Sequence, residues 1–104
     1  VALFPKIKSS LKNKVGSESL NEKNLVCKAI LEIKKKYKNQ IGIMCDVALD
    51  PYTSHGHDGL IKSNRIVNDE TIEILIKQSL LHSFRIDHLA LFVSNGPELK
   101  DRLR

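Results

Sequence analysis

No apolar run in the sequence approaches the roughly 18 residues of a membrane-spanning helix, which excludes a helical transmembrane protein. The opening residues, VALFPKIK, are apolar over only five positions and carry no basic leader, so no secretory signal is expected there. Cysteine is scarce. Cys27 and Cys45 are too few for a disulfide scaffold and suit a reducing compartment, so a cytoplasmic location is expected. No GxGxxG or Walker-type run occurs, and Gly16-Ser17 is too short to form a phosphate loop. Internal repeats and low-complexity tracts are lacking as well.

What remains is an ordinary soluble composition. The chain has 104 residues, of which 41% are hydrophobic and 28% charged, enough for one domain and too apolar for wholesale disorder. The charge is lopsided: residues 1–40 hold ten Lys against three Glu, whereas the remainder is slightly acidic, and the whole is +5. A basic half raises the question of nucleic acid. However, Lys34, Lys35 and Lys36 fall in a helical pattern, and only Phe4 and Tyr37 in that half could stack on bases. A solvated Lys-rich face is the better reading, and no nucleic-acid partner is expected.

The pattern predicts a short strand at Val1–Pro5, a long polar loop to Leu20, and a helix near 22–38. Asn21 would cap that helix, and Leu25, Val26, Ala29, Ile30, Ile33 and Tyr37 would form its apolar stripe. Residues 41–49 are apolar at nearly every position, as in a strand covered on both faces of a parallel sheet, and Asp50-Pro51 closes it. A polar loop follows to residue 67. Asn68-Asp69-Glu70 then starts a second helix, with Ile72, Leu75, Ile76 and Leu80 as its stripe to about Ser83. Asp87–Val93 reads as a third strand, and ELKDRLR as a final helical turn. Strands alternating with helices define an α/β chain with a parallel sheet of about three strands and two main helices.

The chemistry concentrates in one segment. Asp46, Asp50 and Asp58, with His55 and His57, lie within thirteen residues at the C-terminal end of the second strand and in the loop after it. That end of a parallel strand is where α/β folds bind ligands. Gathered carboxylates can hold a hard cation, position a cationic substrate or act as general bases. His55-x-His57-Asp58 could equally be a turn bonded to its own backbone. Cys27 and Cys45 read as inert small hydrophobes, and His82 and His88 as structural.

The run DVALDPYTSHGHDGL at 46–60 resembles the signature region of the porphobilinogen synthase (δ-aminolevulinic acid dehydratase) family. The likeness extends through VALFP at 1–5, GSESLNEKNLVCKAI at 16–30 and VNDETIEILIKQSL at 67–80. It implies a portion of a TIM (β/α)8 barrel that condenses two 5-aminolevulinate molecules to porphobilinogen in haem biosynthesis, as a homo-octamer. In zinc-dependent members three cysteines bind metal in this stretch. Ala48, Asp50 and Asp58 hold those places here, which implies the cysteine-free, magnesium-responsive type without zinc. By the same resemblance Asp46, Asp50 and Asp58 line the active site. Ser54, His55 and His57 belong to a lid spanning 54–66, and Asp50 and Asp58 are weak metal candidates.

Residues 91–104 depart from the family pattern. The two Schiff-base lysines and the main magnesium site have no counterpart in these 104 residues, so a fragment of the barrel, inactive alone, is expected. The alternative expectation is a non-catalytic remnant or interaction module that associates with an intact paralogue or, less favoured, with a polyanion.

Overall fold

The computed structural model describes residues 1–83 and the backbone of the strand at 88–90. The expected strand at 87–93 is therefore seen over 88–90, and the final helical turn lies outside the described residues. In chain order the elements are β1 (Ala2–Leu3), two short 3-10 turns, α1 (Leu25–Tyr37), β2 (Met44–Asp46), β3 (Leu60–Lys62), β4 (Arg65–Val67), α2 (Asn68–Ser83) and β5 (His88–Ala90). The α/β class and the three parallel strands are as the sequence predicts. β2 is central, pairing with β1 through Ala2↔Met44 and with β5 through Met44↔His88, both in parallel.

Both helices pack on alternate residues of one segment. Ile43 and Cys45, wholly buried, meet Val26 and Ile30 of α1, with Leu3 and Ile33 at the margin. Val47 and Leu49 continue the same face onto Leu75, Ile72 and Ile74 of α2. The intervening Met44 is 42% exposed and Asp46 is only half-buried. A strand covered on both faces is thus not what forms. One face carries the helices, while on the other Met44 and Asp46 are open or partly covered and Ala48 is buried, an arrangement set by the period-2 alternation of side chains.

Three further expectations are corrected. Asn24, not Asn21, caps α1: its Oδ1 accepts the Cys27 amide at 2.9 Å from an extended backbone, whereas Asn21 Oδ1 serves the Lys23 amide in a tight turn. Within the expected stripes, Leu25 of α1 and Ile76 and Leu80 of α2 are about half exposed. The buried line of α2 is instead Thr71, Leu75, Gln78 and His82, three of them polar. Finally, the expected polar loop at 51–67 contains the antiparallel hairpin β3–β4. Ser63 and Asn64, with φ of 50° and 60°, form its two-residue turn, both in the left-handed region that such hairpins use.

The hairpin is secured by Thr71. Its Oγ1 donates to the Val67 carbonyl at 2.6 Å and accepts the Leu60 amide at 2.9 Å, joining both strands to α2. Lys62 Nζ adds a 2.6 Å contact to Glu70 at the surface.

The cap assignment is directly testable. Asn24→Ala removes an acceptor for the Cys27 amide and the side-chain donor to the Glu18 and Ser19 carbonyls, and is expected to cost about 1–2 kcal/mol. Asn21→Ala, at an exposed turn, should cost less than half as much. Urea midpoints of the two variants decide, and the reverse order would restore Asn21 as the cap.

Candidate functional site

The site grows from the exit of β2. After Asp46 the chain leaves the sheet, and Asp50-Pro51 turns it: the Leu49 carbonyl accepts the amides of Tyr52 at 2.8 Å and Thr53 at 3.0 Å. The N-terminal loop closes against this turn. Asn13 N donates to the Tyr52 carbonyl at 3.3 Å, the Asn13 carbonyl accepts the Ser54 amide at 2.9 Å, and Asn13 Oδ1 collects the amides of Val15 and Ser17. Gly16 sits here at φ 61°. A Cβ on it would lie 3.4 Å from Leu49 Cδ2, so glycine answers both a left-handed backbone and a close approach.

The loop beyond the turn folds back. Asp58 Oδ1 accepts the Leu49 amide at 2.6 Å, which returns that carboxylate to the strand end beside Asp46 and Asp50. The three acids influence one another. Burial pushes Asp46 up to about 6, with Asp50 and Asp58 adding to the rise. Burial and then Asp58 also raise Asp50, offset in part by its own backbone amide and by Lys12. One oxygen of Asp46, Oδ1, is buried and meets no hydrogen-bond donor among the described residues. Tyr52, 1% exposed, lies behind the cluster, and burial lifts its phenol well above the ordinary range.

The histidines divide from the acids. His57 N donates to His55 Nδ1 at 3.1 Å, which leaves the ring proton on Nε2 to meet the Lys14 carbonyl at 3.3 Å. Both nitrogens of His55 are therefore engaged with backbone, the bland alternative weighed for the HGHD run. The His57 ring lies 5.4 Å from that of His55 and is exposed, while its carbonyl accepts from Thr53 Oγ1 at 2.8 Å. Ser54 is exposed, and its amide holds the start of the loop to Asn13.

Among the described residues no group of three or more His, Cys, Asp or Glu side chains is placed to hold a metal ion. Asp50 and Asp58, with one Asp58 oxygen already on the Leu49 amide, do not make a cage by themselves. Cys27 and Cys45 are not joined in a disulfide and both are buried, and burial with the neighbouring Cys27 and Asp46 raises Cys45 to about 11. Such a thiol is chemically quiet. No described helix is long and apolar enough to cross a membrane.

Sequence reasoning missed Gln78, whose Nε2 reaches the Ala48 carbonyl at 3.1 Å from the buried line of α2. Its one visible signal was a polar residue on the same helix face as Thr71 and Leu75.

A parallel α/β segment with an acidic cluster at a strand end is the class of structure in hand. The profile of the family described as "Delta-aminolevulinic acid dehydratase" matches residues 1–85, and the chain belongs to that family. The delta-aminolevulinic acid dehydratase of Bradyrhizobium diazoefficiens is 53% identical over 83 residues, which is 80% of this chain and 23% of that protein. The chloroplastic dehydratase 1 of Arabidopsis thaliana is 46% identical over 81 residues, 77% of this chain and 19% of its own length. The crystal structure of the Toxoplasma gondii ME49 dehydratase (porphobilinogen synthase), in complex with its reaction product porphobilinogen, superposes with a TM-score of 0.82. It is 38% identical, over 86% of this chain and 26% of that one. The chain thus spans about a fifth to a quarter of the length of these relatives.

The state of Asp46 gives the site a pH dependence. A carboxyl whose folded pKa is raised from 3.8 to about 6 holds more protons folded than unfolded, so stability falls as pH rises between those values. Asp46→Asn, which cannot ionise, is expected to gain roughly 1–2 kcal/mol over wild type at pH 7.5, after allowing for solvent screening, and little at pH 3.5. Denaturant midpoints at the two pH values check this. An equal effect at both would show that Asp46 is not perturbed.

Proposed function

We propose that this chain is a portion of a porphobilinogen synthase barrel of the cysteine-free, magnesium-responsive type, serving the condensation of two 5-aminolevulinate molecules in haem biosynthesis. The observation that supports this most is the convergence of Asp46, Asp50 and Asp58, the acids of the family-like run, at the exit of β2 through the Asp58–Leu49 bond. In this reading β1, β2 and β5 are consecutive barrel strands, with the open Met44 and Asp46 face directed to the barrel interior. The three carboxylates attract the ammonium group of a substrate. Asp46, titrating near 6, can hold or release a proton close to neutral pH. Ser54, His55 and His57 belong to the lid over the site, anchored at the ends by Asn13 and Thr71. A homo-octamer and a cytoplasmic location go with the reading, and two buried cysteines outside any disulfide suit that compartment.

A second reading, an interaction module, is favoured by one feature. A groove of about 450 Å³ is lined by Lys6, Lys8, Lys23 and Lys28, with Glu18 as its one carboxylate, and its net positive charge could take an acidic partner. Salt-dependent retention on a polyanion, lost when these lysines are neutralised, would support it over the first.

The metal reading concerns the type of cation. Carboxylates in place of thiolates favour hard cations, so the main magnesium site is assigned to the part of the barrel outside these residues, and tight zinc is not expected. Titration of the chain with zinc should show no stoichiometric sub-micromolar binding. Tight binding abolished by Asp50→Ala with Asp58→Ala would overturn the assignment, and tight binding lost with His55 and His57 would name another zinc site.

The chain alone is expected to form no porphobilinogen. An amine that traps a ketone needs desolvation or a neighbouring cation to stay neutral at working pH. None of the described lysines, from Lys6 to Lys77, is buried, and Lys62 is paired with Glu70. Incubation with 5-aminolevulinate and borohydride should give neither product nor a single-site lysine adduct. Adding the remainder of the barrel from a relative should restore product formation, and Asp58→Ala should then lower it at least tenfold. Turnover by the chain alone would refute the division of labour. Unchanged turnover by the Asp58→Ala assembly would refute the site.

A further inference from the structure

Among the described residues the pairing of β2 ends at Asp46↔Ala90. The next peptide groups must find partners elsewhere or carry a desolvation cost. The Ala48–Leu49 peptide finds both in side chains. Its carbonyl accepts from Gln78 Nε2 at 3.1 Å, and its N–H donates to Asp58 Oδ1 at 2.6 Å. One partner comes from the middle of α2 and the other from the loop after the strand. The clamped peptide lies between the two strand-end acids, Asp46 and Asp50.

Gln78 is wholly buried, and its orientation is set by chemistry, since the flipped amide would aim Oε1 at the Ala48 oxygen. In the orientation seen, Oε1 is buried with no hydrogen-bond partner among the described residues. A buried acceptor without a donor is costly, and an apolar side chain of equal volume would avoid that cost. The position therefore holds a donor where packing alone would favour leucine or methionine. Hydrogen bonding to a carbonyl also polarises the N–H of the same peptide, so the Gln78 contact strengthens the Asp58 contact across the shared amide.

We infer that Gln78 is a positioning residue: through the Ala48–Leu49 peptide it fixes Asp58 and the spacing of Asp46 and Asp50. This rests on the reading of these acids as substrate-lining, yet its test needs no turnover, so the two can fail separately.

The test is NMR on the 104-residue chain. Gln78→Met keeps the volume and removes the donor, whereas Gln78→Glu keeps the shape and, protonated where it is buried, can still donate to the Ala48 oxygen. In Gln78→Met the Leu49 amide proton is expected to move upfield and exchange at least tenfold faster, with the side-chain carboxyl carbons of Asp50 and Asp58 shifting too. Amides of α1, such as Ile30, should stay within twofold of wild type. Gln78→Glu, which keeps a donor, should lie closer to wild type than Gln78→Met in each respect. An unchanged Leu49 amide, or an equal loss of protection throughout α1, would overturn the inference. Should the Gln78 variants not fold, Asp58→Asn decides, because it retains an acceptor oxygen without the charge. The Leu49 amide should then move upfield and the Gln78 side-chain amide resonances should move with it. Gln78 resonances indifferent to Asp58→Asn would refute the coupling.

Discussion

Ile43, Cys45, Val47 and Leu49, the alternate residues of one segment, carry both helices. Burying such a row against α1 and α2 contributes on the order of 1.5–3 kcal/mol for each larger side chain, and among the described residues no other row is so continuously enclosed. Because the row runs past the end of β2, helix packing continues after sheet pairing stops. The strand exit is therefore held by apolar contacts beneath while its backbone polar groups face partners above. The acidic cluster exists where these two regimes meet.

That meeting point explains why the acids behave as a group. The turn at Asp50-Pro51 and the return of Asp58 onto Leu49 bring three like charges to one place, a geometry that costs electrostatic energy. The rise of Asp46 and Asp50 comes first from burial, and this repulsion adds to it. A cationic ligand arriving between them would relieve it. The N-terminal loop, bonded through Asn13 and packed through Gly16, forms a wall of the same site although it lies far away in sequence.

The sequence displayed the α/β order, the central apolar strand and the acidic run because each depends on local pattern. It hid whatever depended on which face a neighbour covers. Leu25, Ile76 and Leu80 have helical spacing with the buried residues, yet the enclosed side of α2 is shifted toward Thr71, Gln78 and His82. The hairpin was concealed because its strands are three residues each and its turn uses Ser63-Asn64 in place of the more telling Asn-Gly. The grouping of the three aspartates at the strand exit was legible from their spacing. The engagement of His55 with Lys14 and of Gln78 with Ala48 was not, since each joins positions 30 or more residues apart.

The spacing of the parallel strands has a consequence for synthesis. Met44 pairs with Ala2, 42 residues before it, and with His88, 44 residues after it. Parallel neighbours separated this widely close large loops before any ladder bond is gained, so pairing is slow relative to helix formation. On the ribosome, α1 can form and lie against Ile43 and Cys45 while the β5 side of β2 still awaits its partner. During that interval a nascent chain presents an unpaired parallel edge beside an open face bearing Met44, the kind of surface that chaperones bind and that other nascent chains can join.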